Sequence, residues 1–352
     1  MNLKDFSYEL PEERIAQAPA EPRDASRLLV LDRGSGELTD AQFRDLPRFL
    51  SPGDLLVAND TRVVPARLRG RKETGAKLEV LLLEREAQDR WEALVRPAKR
   101  VRPGTVLALA PGVALRVLEE RGEGVCAVRL ETDPSELPEG PVDVDRLLER
   151  LGEVPLPPYI RREGADERDR ERYQTLFARA EKGGSAAAPT AGLHFTERVL
   201  GELRAAGIEC VTITLHVGLG TFLPVRVEDV RGHRMHRERY ELTPETADAV
   251  KRALSEGRRV VAVGTTAARV LEHCGREGAL EPGTGWTELF LLPGHRFRIV
   301  GGLLTNFHLP ESTLLMLACA FGGGTDRVLA AYRHAVAAGY RFYSYGDAML
   351  MV

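Results

Sequence analysis

Two histidines and an asparagine stand where predicted strands end and helices begin. His194 occupies such a junction in "AAPTAGLHFT", and Asn306 and His308 occupy another in "TNFHLPESTLLML". A helix N-terminus carries positive partial charge, which keeps a nearby imidazole neutral and able to accept a proton. The pattern therefore indicates general-base chemistry, and capping of backbone groups by the same side chains is the structural alternative.

Other polar residues occupy comparable positions. His216 lies in "TITLHVGLGTF", either as an inward-facing strand residue or at a strand end beside a glycine loop. Thr265 and Thr266 follow the apolar run "RRVVAVG", where either hydroxyl is suited to cap the next helix. Polar loops after several strands predict one shared crevice at the carboxyl edge of an open sheet.

The C-terminal segment "GYRFYSYGDAML" interleaves aromatic residues with an arginine ahead of Asp347. Tyr343 and Tyr345 are of the type that stacks a base or holds a cation, and Asp347 is suited to meet a cation or an exocyclic amine. Aromatic residues in a final strand more often belong to the core. Both interpretations remain open from the sequence.

Common nucleotide and metal motifs are missing from the sequence. "GLGTF" at 218–222 begins like a dinucleotide loop but has no third glycine and no helix after it, and neither GxxxxGK[ST] nor HExxH occurs. His233 and His236 are spaced as a potential metal pair without an obvious third ligand, which favours solvated or hydrogen-bonded histidines. We therefore expect neither a Rossmann cofactor site nor a metal site.

The elements that must position these residues follow two different sequence patterns. Six short β-like runs separated by glycine, proline or charge predict a small antiparallel barrel at 63–154. Before and after it, strands alternate with helices, as in a layered α/β domain. The predicted fold is an α/β main domain, residues 1–62 and 155–352, with an inserted small antiparallel β-barrel domain.

Composition narrows the classes of protein. The 352 residues are 43% hydrophobic with a net charge of −3, which is typical of a globular protein and argues against bulk attraction of polyanions. No apolar run reaches the roughly 20 residues of a membrane span, so we expect a cytoplasmic protein. Four scattered cysteines predict buried thiols. Residues 62–102 nevertheless hold twelve basic against six acidic side chains, a local excess that suits either a solvated strand face or a nucleic-acid contact.

Several long motifs resemble one known family, the S-adenosylmethionine:tRNA ribosyltransferase-isomerases of queuosine biosynthesis, from one end of the chain to the other. They are "VANDTRVVPARL", "VPLPPYIRR", "ERYQTLFA", "AAPTAGLHFT", "LHVGLGTFLPV", "MHRERYEL", "VGTTAARVLE", "LLTNFHLPESTLLML" and "GYRFYSYGDAML". The resemblance implies that the ribosyl part of S-adenosylmethionine is attached to 7-aminomethyl-7-deazaguanine at the tRNA wobble position and rearranged to epoxyqueuosine, with release of adenine and methionine. It also implies an α/β fold with an inserted barrel. S-adenosylmethionine would be a consumed substrate, without a resident cofactor, and we expect a monomer.

The residues can be matched to that chemistry as hypotheses. The candidate bases for the proton beside the sulfonium are, in order, His194, His308, His216 and Asp347. The candidates for binding S-adenosylmethionine, including its departing adenine, its carboxylate and its sulfonium, are Thr190, Thr265, Thr266, Arg269, Asn306, Tyr343 and Tyr345. The candidates for contacts with tRNA phosphates are Arg62, Arg67, Arg69, Arg161 and Arg162.

Two other functions compete with this one. A non-catalytic RNA-binding module would need only the basic barrel, and an ordinary methyltransferase would use the same donor. The polar strand ends at 190–196, 264–266 and 305–308 argue against the first, and the missing Rossmann fingerprint argues against the second.

Overall fold

The computed structural model describes residues 1–133, 135, 143–162, 166–218, 220, 225–276, 278 and 280–352. The strands in these residues are β1 Arg27–Leu31, β2 Leu38–Gln42, β3 Leu55–Asn59, β4 Arg62–Val63, β5 Arg67–Arg71, β6 Lys77–Ala87, β7 Arg90–Arg96, β8 Val106–Ala110, β9 Val113–Gly122, β10 Val125–Thr132, β11 Gly183–Ser185, β12 Glu209–Leu215, β13 Glu238–Leu242, β14 Val260–Val263, β15 Gly283–Thr287, β16 Gly302–Asn306 and β17 Ala348–Met351. The α-helices are α1 Val144–Leu151, α2 Arg168–Arg172, α3 Glu197–Ala205, α4 Pro244–Ser255, α5 Thr265–Cys274, α6 Thr313–Phe321 and α7 Thr325–Ala337.

The main domain is built on a nine-stranded mixed sheet in the order β15-β13-β12-β3-β14-β16-β17-β1-β2. Its central strands β12, β3, β14 and β16 are mutually parallel, so their carboxyl ends share one edge. Strand β17 runs antiparallel to β16 and brings its own first residue to the same edge. The predicted convergence of strand ends is therefore present in the sheet.

Both faces of the sheet are covered, which explains why its central strands are apolar throughout. Strands β3 and β14, "LLVAN" and "VVAV", are buried at every position. One face packs with α4 to α7 and the other with α3. Strands buried on both sides read as continuous apolar runs because alternate side chains enter two different cores.

The barrel closes in the order β10-β7-β6-β5-β8-β9 and has its own apolar core. Its interior tolerates no side chain at Gly70, where a Cβ atom would lie 2.9 Å from the Cβ of Leu107. Helix α1 adds Leu147 to this core, and the short parallel pair β4 and β11 connects the two domains. The expected fold class, an α/β domain with an inserted antiparallel barrel, is confirmed.

Side chains cap the starts of α3 and α6 but not the start of α5. Thr196 caps α3, since its hydroxyl accepts a hydrogen bond from the Val199 amide. The predicted cap of α5 by Thr265 or Thr266 is wrong, because Gly264 is the N-cap residue at φ 91° and no side chain caps the helix. Helix α6 begins after Ser312, whose side chain accepts a hydrogen bond from the Leu315 amide.

The cysteines differ from the sequence-based expectation. Cys126 and Cys319 are buried free thiols, whereas Cys210 is exposed, so the expectation of four buried thiols is wrong.

In the described part of the chain no single helix is long and apolar enough to cross a membrane. Only α6 and α7 taken together meet that criterion, and they are bent by 111° at their junction.

Candidate active site

The junctions that carry Gly264, His194 and Asn306 meet at the carboxyl edge of the parallel strands, whereas His308 lies on the other face of the sheet. The loop after β14 lies against the turn that carries His194, because a Cβ atom at Gly264 would be 3.5 Å from that of Ala191. The turn also reaches β16, where the Asn306 amide nitrogen lies 3.2 Å from His194 Nε2. Asp347 stands at the start of β17, at the same edge.

His194 is buried on one face of the sheet. Its ring stacks on Phe43 at 5.0 Å between centroids, and Nδ1 lies 2.9 Å from the Ser26 hydroxyl. Because an amide nitrogen only donates, His194 Nε2 accepts from Asn306 and the ring proton is on Nδ1. Burial, aided by the charges of Arg341 and Arg23, lowers the pKa of His194 to about 3, so the ring is neutral.

His308 is buried on the other face. Its Nε2 lies 2.8 Å from the hydroxyl of Thr305, and its backbone amide donates to the Tyr332 hydroxyl. Thr305 and Asn306 are consecutive strand residues and point to opposite faces, so the two imidazoles are separated by the sheet. Burial also lowers the pKa of His308 to about 3.

Asp347 and the aromatic tail are likewise engaged inside the protein. The Asp347 carboxylate accepts from the backbone amides of Arg27 and Arg341 at 2.9 and 2.8 Å, which fixes the start of β17. Tyr343 and Tyr345 are buried, the first against Tyr159 at 4.6 Å between ring centroids. This placement matches the core interpretation of the aromatic segment.

The predicted substrate-binding polar groups near His194 include two unpaired atoms. Asn306 Oδ1 is buried without a hydrogen-bond partner in the described residues, although its amide nitrogen also donates to the Tyr343 carbonyl at 3.0 Å. The hydroxyl of Thr266 is likewise buried without a hydrogen-bond partner among the described residues. Thr190 begins the turn Thr190–His194 and is partly buried, whereas Thr265 is buried at the start of α5.

His216 is the predicted base that borders open space. It lines a cavity of about 740 Å³ between the barrel and the sheet. Its Nδ1 lies 2.9 Å from the Thr61 hydroxyl, and a Cβ atom at Gly184 would be 3.4 Å from the same nitrogen. Burial and the charge of Arg239 lower the pKa of His216, against the opposing effect of Asp60. We name this space the junction cavity.

A smaller cavity of about 300 Å³ adjoins the junction cavity and shares His236 and Glu238 with it. Arg269 lines it, donates from Nε to the Leu289 carbonyl at 3.0 Å and forms a buried ion pair with Glu238. The Arg269 Nη2 atom has no partner in the part of the chain that the structure describes. The other Glu238 oxygen accepts a hydrogen bond from the Gly218 amide at 3.1 Å. In the loop that follows, residues 219 and 221–224, which include most of "GLGTF", lie outside the described residues.

Four of the five arginines predicted to contact tRNA line one groove of about 1040 Å³, which we name the basic groove. They are Arg67, Arg69, Arg161 and Arg162. Each is paired with a carboxylate, namely that of Glu79, Glu153, Glu12 and Asp169, respectively. Arg62 lies instead in the junction cavity.

Sequence reasoning missed several residues of these spaces. Arg71, Lys77 and Arg96 complete the basic groove, and Glu238 holds Arg269. The charge excess of residues 62–102 includes the three basic residues, and the motif "MHRERYEL" includes Glu238. Neither pattern assigns a role to an individual side chain. Among the described residues, no group of three His, Cys, Asp or Glu side chains is arranged to hold a metal ion.

Comparison with known proteins agrees with this architecture. The family model described as queuosine biosynthesis protein matches residues 3–351. The chain is 57% identical to the S-adenosylmethionine:tRNA ribosyltransferase-isomerase of an Anaeromyxobacter species, over 100% of this chain and 99% of that protein. It is 54% identical to the protein of the same name from Moorella thermoacetica, over the full length of both. The chain belongs to the S-adenosylmethionine:tRNA ribosyltransferase-isomerase family.

The fold of the family is also represented among solved structures. The crystal structure of an S-adenosylmethionine tRNA ribosyltransferase from Thermotoga maritima is 37% identical, with a TM-score of 0.56, and the match covers 99% of this chain and 100% of that one. As a member of the ribosyltransferase-isomerase family, the chain is an enzyme of the transferase and isomerase type in queuosine biosynthesis.

Proposed function

We propose that the chain transfers and isomerises the ribosyl moiety of S-adenosylmethionine onto 7-aminomethyl-7-deazaguanine at the tRNA wobble position. The products would be epoxyqueuosine in tRNA, adenine and methionine. S-adenosylmethionine is then a consumed substrate, and the reaction as proposed needs no metal or redox cofactor. We also propose that the protein acts as a monomer in the cytoplasm.

The observation that carries the proposal is the separation of charge between two spaces that border the same two barrel strands. Seven basic side chains and one carboxylate line the basic groove, which suits the phosphates of tRNA. Six carboxylates and four arginines line the junction cavity, which suits a sulfonium and an aminomethyl group better than a phosphate. Strands β6 and β7 border both spaces, so one RNA can lie along the groove and insert a base into the cavity.

Within the junction cavity, His216 is the proposed base. It would remove the proton on the ribose carbon beside the sulfonium, because that positive charge acidifies the carbon. Thr61 fixes the ring through Nδ1, which leaves Nε2 for the substrate. His194 and His308, expected first from the sequence, are not among the lining residues of the three cavities described above, and both rings are tied to neighbouring side chains.

The remaining proposed roles follow the positions of the polar groups. The free Nη2 of Arg269 is proposed to bind the carboxylate of the methionine part, and the Glu238 carboxylate holds the guanidinium in place. The unpaired Asn306 oxygen and Thr266 hydroxyl are assigned no substrate contact, because neither residue lines any of the three cavities.

The products of S-adenosylmethionine test the proposal directly. Incubation with tRNA carrying the modified precursor base should release adenine and methionine in equal amounts, detected by chromatography. Release of S-adenosylhomocysteine would indicate a methyltransferase instead, and release of neither would indicate a binding module.

A further inference from the structure

The two tryptophans of the chain line the same space and come from different domains. Trp91 belongs to β7 of the barrel and Trp286 to β15 of the sheet, and both border the junction cavity. Trp91 is 5% exposed and forms part of the barrel core, whereas Trp286 is 40% exposed. Among the described residues, Trp286 is the only aromatic side chain that is both large and exposed.

The indole of Trp286 is held in place by charged neighbours. The Arg237 guanidinium lies 4.5 Å from the ring centroid, and it forms an ion pair at 3.8 Å with Glu84 of the barrel. The preceding Gly285 lets the strand pack closely on its partner, because a Cβ atom there would be 3.1 Å from the Tyr240 hydroxyl oxygen. The ring is therefore positioned in advance of binding, at the junction of the two domains.

An exposed, positioned indole in a cavity rich in carboxylates fits a planar group that carries little negative charge. Nucleobases meet this requirement, because every base has a face that stacks on an aromatic ring and the phosphates remain outside. The basic groove, which shares β6 and β7 with the cavity, supplies the place for those phosphates. We propose that Trp286 is the stacking platform for a nucleobase of the tRNA substrate. This proposal rests on the proposed function of the same cavity.

Fluorescence can test the contact without altering Trp286. The Trp91→Phe variant leaves Trp286 as the sole indole, and binding of precursor tRNA should reduce its quenching by acrylamide at least about twofold, since a stacked base covers the ring. Unchanged quenching in a tRNA complex shown to be saturated would overturn the proposal. If Trp91→Phe does not fold, the difference in acrylamide quenching between the native protein and Trp286→Phe reports on the Trp286 indole.

Kinetics supply the second test. Trp286→Ala should raise the KM for tRNA about five- to a hundredfold and leave the KM for S-adenosylmethionine within about twofold, whereas Trp286→Phe should retain most of the tRNA affinity. Leu254→Ala, which removes a comparably exposed apolar side chain from α4, is the matched control and should change neither constant. A rise in the KM for S-adenosylmethionine instead would assign the indole to the sulfonium and refute base stacking.

The two proposals fail in different ways. If the native protein releases no adenine, the proposed reaction is wrong, and the quenching experiment still decides whether tRNA covers Trp286. If adenine is released but Trp286→Ala binds tRNA normally, only the stacking proposal is refuted.

Discussion

At the scale of single residues, His216 combines the properties that a base needs. It borders the junction cavity, and the Thr61 hydroxyl fixes its Nδ1. We expect His216→Ala to lower kcat about a hundredfold or more, and Thr61→Val about five- to tenfold, because the second change removes only one orienting hydrogen bond. Single-turnover measurements with saturating substrates check both values.

The role of His216 as a base also predicts how kcat depends on pH. Because burial lowers the pKa of His216 below its ordinary value of 6.5, the neutral base predominates above pH 6.5 and is lost only at lower pH. His334→Ala, which changes an exposed histidine paired with Asp40, serves as the control and should leave kcat unchanged. A His216→Ala enzyme with near-native kcat would remove this residue from the mechanism.

For His194 and His308 we predict an effect of pH on the free energy of unfolding rather than on the reaction rate. Their pKa values are about 3 in the folded protein, against an ordinary histidine value of 6.5 in the unfolded chain, so below pH 6.5 the unfolded chain binds more protons than the native one. The free energy of unfolding is therefore complete above pH 6.5 and falls as the pH drops, by about 1.4 kcal/mol for each histidine between pH 7.5 and 5.5. Urea unfolding of the native protein and of His194→Gln measures the share of His194, and equal pH slopes would contradict it.

The chemistry of these residues could be predicted from the sequence, but their surroundings could not. A histidine between a strand and a helix start is visible as a pattern at His194 and His308, whereas His216 is visible only as a strand-end residue beside a glycine loop. Whether the ring meets a cleft or a core depends on which sheet face its neighbours cover. For His308 that neighbour is Tyr332 of α7, far away in the sequence.

At the scale of elements, the start of α5 depends on backbone conformation rather than on a side-chain cap. Gly264 has φ 91°, and its hypothetical Cβ would make only ordinary contact with Ala191. We expect Gly264→Ala to cost about 1–3 kcal/mol of unfolding free energy, because a Cβ is strained at this φ. Gly201→Ala is the matched control, since that glycine lies inside α3 with open space around its Cβ position and should gain about 0.5–1 kcal/mol. Changes of the same sign in both variants, measured by urea unfolding, would refute the explanation.

The same comparison shows which element boundaries a sequence can predict. The cap of α3 by Thr196 is predictable, because its hydroxyl has a free helix amide within reach. Thr265 and Thr266 offer the same residue type, yet the helix already includes both, because the glycine ahead of them adopts a conformation that brings the chain directly from β14 into α5. The six barrel strands are predictable because turns and alternation are local, whereas the ion pair of Glu84 in β6 with Arg237, just ahead of β13, is not.

At the scale of the whole molecule, the net charge of −3 conceals two regions of opposite character. Seven basic side chains and one carboxylate line the basic groove, whereas the junction cavity, on the same barrel strands, is lined by more carboxylates than arginines. A sum over the sequence cannot reveal this separation, since it arises when residues near 70, 96 and 161 are brought together by the closed barrel and the returning chain. Affinity for tRNA should therefore depend strongly on salt despite the acidic total.

Three cations of the basic groove allow that expectation to be tested without breaking an ion pair. Arg71, Lys77 and Arg96 are exposed and have no ion-pair partner in the described residues, so their replacement leaves no carboxylate unpaired. The triple alanine variant should weaken tRNA binding and lower the slope of log Kd against log salt by roughly 0.7–0.9 for each lost phosphate contact. The KM for S-adenosylmethionine should stay constant, because that substrate is cationic at sulfur and is assigned to the junction cavity. Arg333→Ala, an exposed arginine on α7, is the control. An unchanged slope in the triple variant, or an equal change in the control, would show that the phosphates of tRNA lie elsewhere.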